Sequence, residues 1–470
     1  MPRFPDLHLL ASAAIVAVLA PASAPVTAAT TEPVTEWATR TAIPLTIVDP
    51  AAPLDDFADL RPTIGHAEIV GLGESVHGAS ELLSLKHRTL RFLVEEMGFR
   101  SIAWEDDWTT GLAINEYILS GDGDLDAIVS GMSPQWPSAE VAGVLEWLRE
   151  YNADHDDKVQ FFGVEYYFTG QRAYDAVEAY IAEAAPARLD EVREHLRAIR
   201  PLTEDKFETV QAYMEVADKD PYIRHAEAIE DIVQSVPHPA DDHEHQIAVH
   251  HARQIVSFHV HYDLAVDDAA VYREERAAEN LRWWHEFSGD KVVYWAASPH
   301  TANAPALRIV QSAAQEFGFP STGSYLRRWF DDAYLSIGFT FDHGAVSLGP
   351  EATAEMPAPS PEWFEQPLGA VGLDQFALDL RQPAPEAVTA WLRGPIITRG
   401  LADSGPEGYM TGGSLGQWFD VVVHRQQVSP SVAFSPSAAN RSARQCRRRR
   451  HRAAGCGRPG GTRLRRGAAT

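Results

Sequence analysis

Four short apolar runs, each closed by an acidic or imidazole side chain, constrain this chain more than anything else in it. Residues 67–72, 100–104, 159–164 and 291–296 are of strand length, and stretches with helical periodicity alternate with them. That alternation predicts an α/β domain on a mainly parallel central sheet flanked by helices. Residues 334–339 read as a further strand. Between the first two runs, residues 80–97 place Leu82, Leu85 and Leu93 on one side of a helix, with Leu83, Leu90, Val94 and Met97 beside them. Gly98 follows as its stop signal. Residues 171–288 break the alternation. They are charged, carry no convincing strand and are interrupted at Pro201, Pro221 and Pro237. A helical insertion packed on the sheet, acting as a lid or substrate-binding subdomain, is expected there.

Ligands of parallel sheets bind outside the carboxyl ends of the strands, so the residues after each run are where chemistry is expected. The first run leads into Gly73-Glu74-Ser75-Val76-His77-Gly78, and the second into Glu105-Asp106-Asp107. Glu165 follows the third, and Ser298-Pro299-His300 the fourth. Right-handed crossovers bring all four loops to one edge. Glu, His and no obvious Ser or Cys nucleophile suit a hydrolase in which an imidazole takes a proton from water while carboxylates orient it. The alternative is that each carboxylate caps the helix it precedes, which would account for one such residue better than for all of them.

Composition narrows the partners. At 470 residues, 45% hydrophobic and 23% charged, the chain can bury a core without covalent staples. Its formal charge of −26 conceals two parts. Residues 441–470 hold 11 arginines and no acid, which leaves 29 basic against 66 acidic side chains in residues 1–440, a balance of −37. An acidic body repels phosphate backbones and anionic lipid, so neither nucleic acid nor a membrane is an expected partner. It suits a neutral or cationic small-molecule substrate, handled by a monomer. Both cysteines, Cys446 and Cys456, lie in the arginine-rich end, so the body has no thiol chemistry, zinc–thiolate site or disulfide. Residues 9–20 form an apolar run of signal-peptide length and Val26-Thr27-Ala28 fits a cleavage site. Residues 1–28 are therefore expected to be a leader and the protein to be secreted. Residues 431–470 are expected to be a disordered tail, its abrupt composition resembling a shifted reading frame.

Within residues 35–430, read as one catalytic domain, several blocks resemble the erythromycin esterase family in order and spacing. They are Gly71-Leu-Gly-Glu-Ser-Val-His-Gly78, Ser84-Leu-Lys-His-Arg88, Phe92-Leu-Val-Glu-Glu-Met-Gly-Phe99 and Trp104-Glu105, then Tyr272-Arg-Glu-Glu-Arg-Ala-Ala-Glu-Asn280 and Val292-Val-Tyr-Trp-Ala-Ala-Ser-Pro-His300. The resemblance implies an α/β hydrolytic core unrelated to the serine α/β-hydrolases, opening an ester or macrolactone with activated water and so conferring macrolide resistance. Carried over by position, His77 is the general base, Glu74 and Glu105 orient water or the imidazole, and His300 polarises or positions the ester. Lys86 stands where the family more often has Arg, which keeps the charge but loses the bidentate fork. Glu165, by its strand-end position, and Arg273, as a charge partner in the cleft, are the expected substrate-side residues. One departure is notable: macrolide-active members carry a block similar to Trp-Ala-His-Asn-Ala-His, and here Ala297 and Ser298 replace its first histidine and its asparagine.

Three other readings compete. Gly412-Gly413-Ser414-Leu415-Gly416 matches a serine nucleophile elbow literally, but Gly and Thr precede it where a strand is required, and a strand is expected after it. A metal-dependent hydrolase or peptidase could use the Glu74, His77, Glu105 and His300 set, although no metal or other cofactor is required by the esterase reading. The histidine-rich stretch His238, His243, His245, His250, His251, His259 and His261 lacks the i, i+4 spacing of a helical zinc site and reads as a solvated helix face. Finally, a secreted non-catalytic relative could bind a ligand among Trp104, Trp108, Trp136, Trp283, Trp284 and Trp295, most of which read as core.

Overall fold

The computed structural model describes residues 31–312, 315–401 and 408–435. The expected leader and the arginine-rich run lie outside them. The chain-order strands are β1 (Ile43–Pro44), β2 (Ile69–Glu74), β3 (Ser101–Asp107), β4 (Gln160–Glu165) and β5 (Val292–Ala297). There follow β6 (Leu307–Ser312), β7 (Gln315–Phe319), β8 (Tyr334–Ser347) and β9 (Thr353–Met356). Last come β10 (Gln375–Asp379), β11 (Pro395–Arg399), β12 (Tyr409–Ser414) and β13 (Val421–Val428). The central sheet runs β1-β10-β13-β8-β2-β5-β3-β4, with β9 beside β8. From β13 to β4 every neighbouring pair is parallel, and β1, β10 and β9 join antiparallel. A mainly parallel sheet is therefore what the strand–helix alternation produces. A second, antiparallel sheet runs β11-β12-β6-β7.

Strand alternation builds two apolar layers. Val70, Leu72, Ile102, Trp104, Val293 and Trp295 pack on one face with Leu82, Leu85 and Leu93 of the helix Ser80–Met97. Ile69, Ala103, Phe162, Val164, Val292 and Tyr294 pack on the other with Leu281 and Trp284. Period-two side-chain placement is the cause: adjacent residues of each strand face opposite layers. The helix Ser80–Met97 ends where Gly98 adopts φ 77°, a left-handed conformation that a side chain disfavours. Among the described residues no helix is long and apolar enough to cross a membrane.

Between β4 and β5 the chain is helical, with helices Gln171–Ala184, Leu189–Ile199, Lys206–Met214, Asp220–Gln234, His243–His261 and Val266–Ser288. Pro201 lies just past one helix end and Pro221 in the first turn of another, positions where a missing N–H costs nothing. The histidine-rich helix is not a solvated face. His245, His250, His251 and His259 are buried, because His243–His261 packs between neighbouring helices of the same stretch and against Val266–Ser288. Trp108 Nε1 donates to His251 Nδ1 at 3.0 Å, and the His250 ring stacks on Trp283 at 3.8 Å. These imidazoles serve as aromatic core.

Two further expectations change. Ser414 does end a strand, β12, and a four-residue helix, Leu415–Trp418, follows it, so the local strand-then-helix context that the sequence seemed to lack is present. That strand belongs to the antiparallel side sheet, and Asp420 is bound by Arg327 and the Ser336 N–H, so Asp420 is not free to serve a triad there. The tail does not begin at 431. Residues 429–434 stay on the body: isolated bridges join Ala79 to Pro430 and Ser138 to Ala433, and Phe434 packs on the main core.

Candidate functional site

All carboxyl ends of β13, β8, β2, β5, β3 and β4 share one edge, and β2 and β5 place Glu74 and Ala297 in direct register. Close packing there depends on small residues. A Cβ on Gly73 would lie 2.0 Å from Thr301 Oγ1, so only glycine lets the His300 turn approach β2.

The first cluster forms around Glu74, which is buried. Its Oε1 lies 2.9 Å from His77 Nδ1, and its Oε2 accepts from Lys86 Nζ. Lys86 also donates to the Ala296 carbonyl at 3.2 Å and sits 4.3 Å from the centre of the Trp295 ring. Burial pulls the Lys86 ammonium down to about 8, with Glu74 resisting. At neutral pH it remains the counter-charge of Glu74. The His77 side chain is 30% exposed, and its ring packs T-shaped with Trp136, the ring centres 4.9 Å apart.

Glu105 organises the second cluster. Its Oε2 accepts the Ala297 N–H at 2.9 Å, and its Oε1 meets His300 Nε2 at 3.2 Å and Arg273 Nη2 at 3.3 Å. Arg273 also donates Nε and Nη2 to Glu165 Oε1 at 2.9 and 2.7 Å. Burial pushes the Glu105 carboxyl up, but His300, His77 and Arg273 together hold it well below the usual carboxylate range. Glu165 behaves oppositely: burial raises it, although Arg273 opposes the rise.

His300 is held at both nitrogens. Nδ1 lies 2.8 Å from Glu274 Oε1 while Nε2 faces Glu105. Two carboxylate partners require two N–H donors, so the ring is an imidazolium. Burial works against that charge, but Glu274 and Glu105 outweigh it and raise the group to about 10. Glu274 is fixed in turn by the Thr322 N–H and Oγ1, both at 2.9 Å. The clusters meet at the Ala296–Ala297 strand end, and Trp136 links them by touching His77 and donating Nε1 to the Glu105 carbonyl at 2.7 Å.

The structure thus brings Glu74, His77 and Lys86 together, and Glu105, Glu165, Arg273 and His300 together beside them. His300 cannot act as a base here, because neither nitrogen carries a free lone pair. Glu274 was not singled out from the sequence, and Trp136 was named there only among tryptophans that could line a ligand cleft. Glu274 follows Arg273 within a block quoted above, and its charge beside an expected cleft residue was the available signal. For the contact of Trp136 with His77 there was none. Capping does explain one strand-end acid: Asp107 accepts the Thr109 N–H at 2.8 Å at the start of the helix Trp108–Ser120, and Asp106 holds Ser133 instead. Among the described residues no group of three or more His, Cys, Asp or Glu is arranged to hold a metal ion. The carboxylates that could have served are engaged by cations and backbone N–H groups.

The charge on His300 makes a testable claim. A raised folded value means that its stabilisation is complete below the unfolded value near 6.5 and is lost as pH rises toward about 10. Glu274→Gln is expected to lower the His300 titration, followed by NMR, by roughly one to three units and to bring the alkaline loss of stability to lower pH. An unchanged titration would show that Glu274 does not hold the charge.

Comparison with known proteins places the chain in company. Residues 94–428 match the family model described as erythromycin esterase. A curated Escherichia coli protein named erythromycin esterase type II is 35% identical over 130 residues, 28% of this chain and 31% of that protein. The match therefore spans about a third of that relative's length. Among solved structures, a succinoglycan biosynthesis protein is 27% identical with a TM-score of 0.74, covering 88% of this chain and 100% of that one. A Bacillus cereus protein is 26% identical at TM-score 0.76, covering 86% and 99%. An erythromycin esterase variant, EreC in its open conformation, shares the fold at 17% identity and TM-score 0.66, over 84% and 99%.

Proposed function

The chain belongs to the erythromycin esterase family, and from that premise we propose that it hydrolyses a carboxylic ester or macrolactone with water activated by His77. The observation that carries this reading is the Glu74–His77 pair on a partly exposed ring. Glu74 accepts the Nδ1–H, which leaves the Nε2 lone pair to take a proton. Nε2 removes a proton from water as its oxygen attacks the ester carbon. The carbonyl electrons move onto oxygen, and the Arg273 guanidinium, 20% exposed beside Glu105, supplies charge for that oxyanion. Collapse reforms the carbonyl and breaks the ester bond, and the leaving alkoxide recovers the proton from His77. Glu74 stabilises the transient imidazolium, and Lys86 donates to the other oxygen of its carboxylate. Glu105, neutralised by His300 and Arg273, orients both cations.

A macrolide is one candidate substrate, with ring opening and resistance as the outcome. The test is incubation of the protein with erythromycin and with a series of 4-nitrophenyl esters in ¹⁸O-water, following products by mass spectrometry. One ¹⁸O in the product carboxylate, turnover insensitive to chelators and its loss in His77→Ala are expected. Chelator-sensitive turnover would point to a metal-dependent hydrolase, and binding without turnover to a non-catalytic relative.

A further inference from the structure

His77 sits on a loop that the chain secures a second time from far away in sequence. The Gly78 carbonyl accepts two N–H groups, from Ser347 at 2.9 Å and from Ser431 at 2.8 Å. Gly78 itself has φ 77°, and a Cβ there would lie 2.1 Å from the Ser347 carbonyl oxygen. Two residues on, the Ser80 N–H donates to the Ser429 carbonyl at 2.9 Å. The same extended segment then crosses to the loop that carries Trp136. The Ala139 N–H donates to the Val432 carbonyl at 2.8 Å, and the Val432 N–H donates to the Glu140 carboxylate at 3.1 Å. Glu140 closes the circuit by accepting from Ser80 Oγ at 2.6 Å. Glu81 fixes the near end of the segment by accepting the Ser429 N–H at 2.7 Å.

Residues 429–433 therefore stitch together the two loops that hold the His77 ring, one covalently and one through the Trp136 contact. We propose that this segment is a positioning strap for the general base, with the Ser431 N–H and the Glu140 carboxylate as its two fastenings. The strap touches neither substrate nor reacting atoms. It sets the direction of Nε2 by fixing the backbone at Gly78 and the indole wall opposite. The inference rests on the proposed role of His77 and extends it: an aligned base is worth its rate only while the loop under it is still. Displacement of a catalytic group by about 1 Å can cost on the order of 10²-fold in rate.

Two variants in the full chain test it. Ser431→Pro removes the N–H that reaches Gly78, and Glu140→Ala removes the acceptor shared by Ser80 and Val432, whereas Glu140→Gln keeps an acceptor. In Ser431→Pro and Glu140→Ala, amide exchange over residues 76–80 should accelerate. Their kcat on 4-nitrophenyl butyrate should fall by roughly 10- to 100-fold with KM within about twofold, and Glu140→Gln should recover most of the rate. Asn152→Ala serves as the stability control: it strips bonds to the Ile118 and Val159 carbonyls at the opposite end of the helix Ala139–Asp154. It should lower the melting temperature without lowering kcat. Unchanged exchange, faster exchange with unchanged kcat, or an equal loss of kcat in Asn152→Ala would each overturn the strap. His77→Ala assayed alongside separates the two ideas, since full activity in that variant would remove the base rather than its strap.

Discussion

Replacing His77 with alanine is expected to lower kcat on any ester the protein hydrolyses by about 10²–10⁴-fold, the usual worth of a positioned general base. KM and the melting temperature should hardly move. The ring is partly exposed and makes one hydrogen bond, so its removal leaves no closed cavity and no orphaned buried charge: Glu74 keeps Lys86. Glu74→Gln should look different. An amide can still accept from Nδ1, but it cannot balance an imidazolium, and it deprives buried Lys86 of its counter-ion. That variant should lose both rate and stability, the latter by roughly 3–5 kcal/mol if Lys86 stays charged and by less if it sheds its proton. Kinetics and thermal unfolding on the two variants distinguish a base from a merely well-packed histidine. Wild-type kcat in His77→Ala would end the proposed mechanism.

Acidification from pH 7.5 to 5 is expected to bring the largest loss of stability. Burial drives His87 down to about 3, His251 to about 4, His259 to about 3 and His424 to about 3, and His250 well below its ordinary value. These rings stay neutral in the fold, while in the unfolded chain each takes up a proton below about pH 6.5. The unfolded state then binds more protons, so stability falls as pH falls from 6.5 toward 4. Each ring should contribute on the order of 1–2 kcal/mol of loss by pH 5. Buried carboxyls oppose this: burial raises Asp107 to about 6 and raises Asp106, Glu165 and Glu365, so the fold takes up protons of its own as pH falls. Five histidines outweigh them, and the steepest fall should come between pH 6.5 and 5. Melting temperatures across that range measure it, and His259→Phe should flatten the slope by one proton. A melting temperature constant from pH 7.5 to 5 would refute the assignment of these rings as neutral core.

That core was the part of the molecule least visible in the sequence. A run of histidines spaced irregularly among charges has no apolar periodicity, and imidazole looks polar until a Trp indole or another helix covers it. The sheet edge was legible for the opposite reason. Strand runs are short and apolar, crossovers have one hand, and so Glu74, Glu105, Glu165 and His300 could be assigned to one edge before any coordinate. Their pairing could not. Glu274 reaches His300 from a helix that precedes β5, and which carboxylate takes which cation depends on side-chain packing that no spacing encodes. The segment after β13 was hidden too, because its attachment to the body is made by backbone N–H and carbonyl groups, which composition does not register.

The place of β13 in the sheet has a consequence for synthesis. It is laid between β10 and β8, although it comes last in chain order among the described strands. Until it has left the ribosome, β8 and β10 each present an open strand edge, and the sheet stands in two pieces. Such closure over a long sequence separation is slow and leaves nascent chains prone to edge-to-edge association. Chaperone demand during production should therefore be set by the interval between emergence of β10 and of β13.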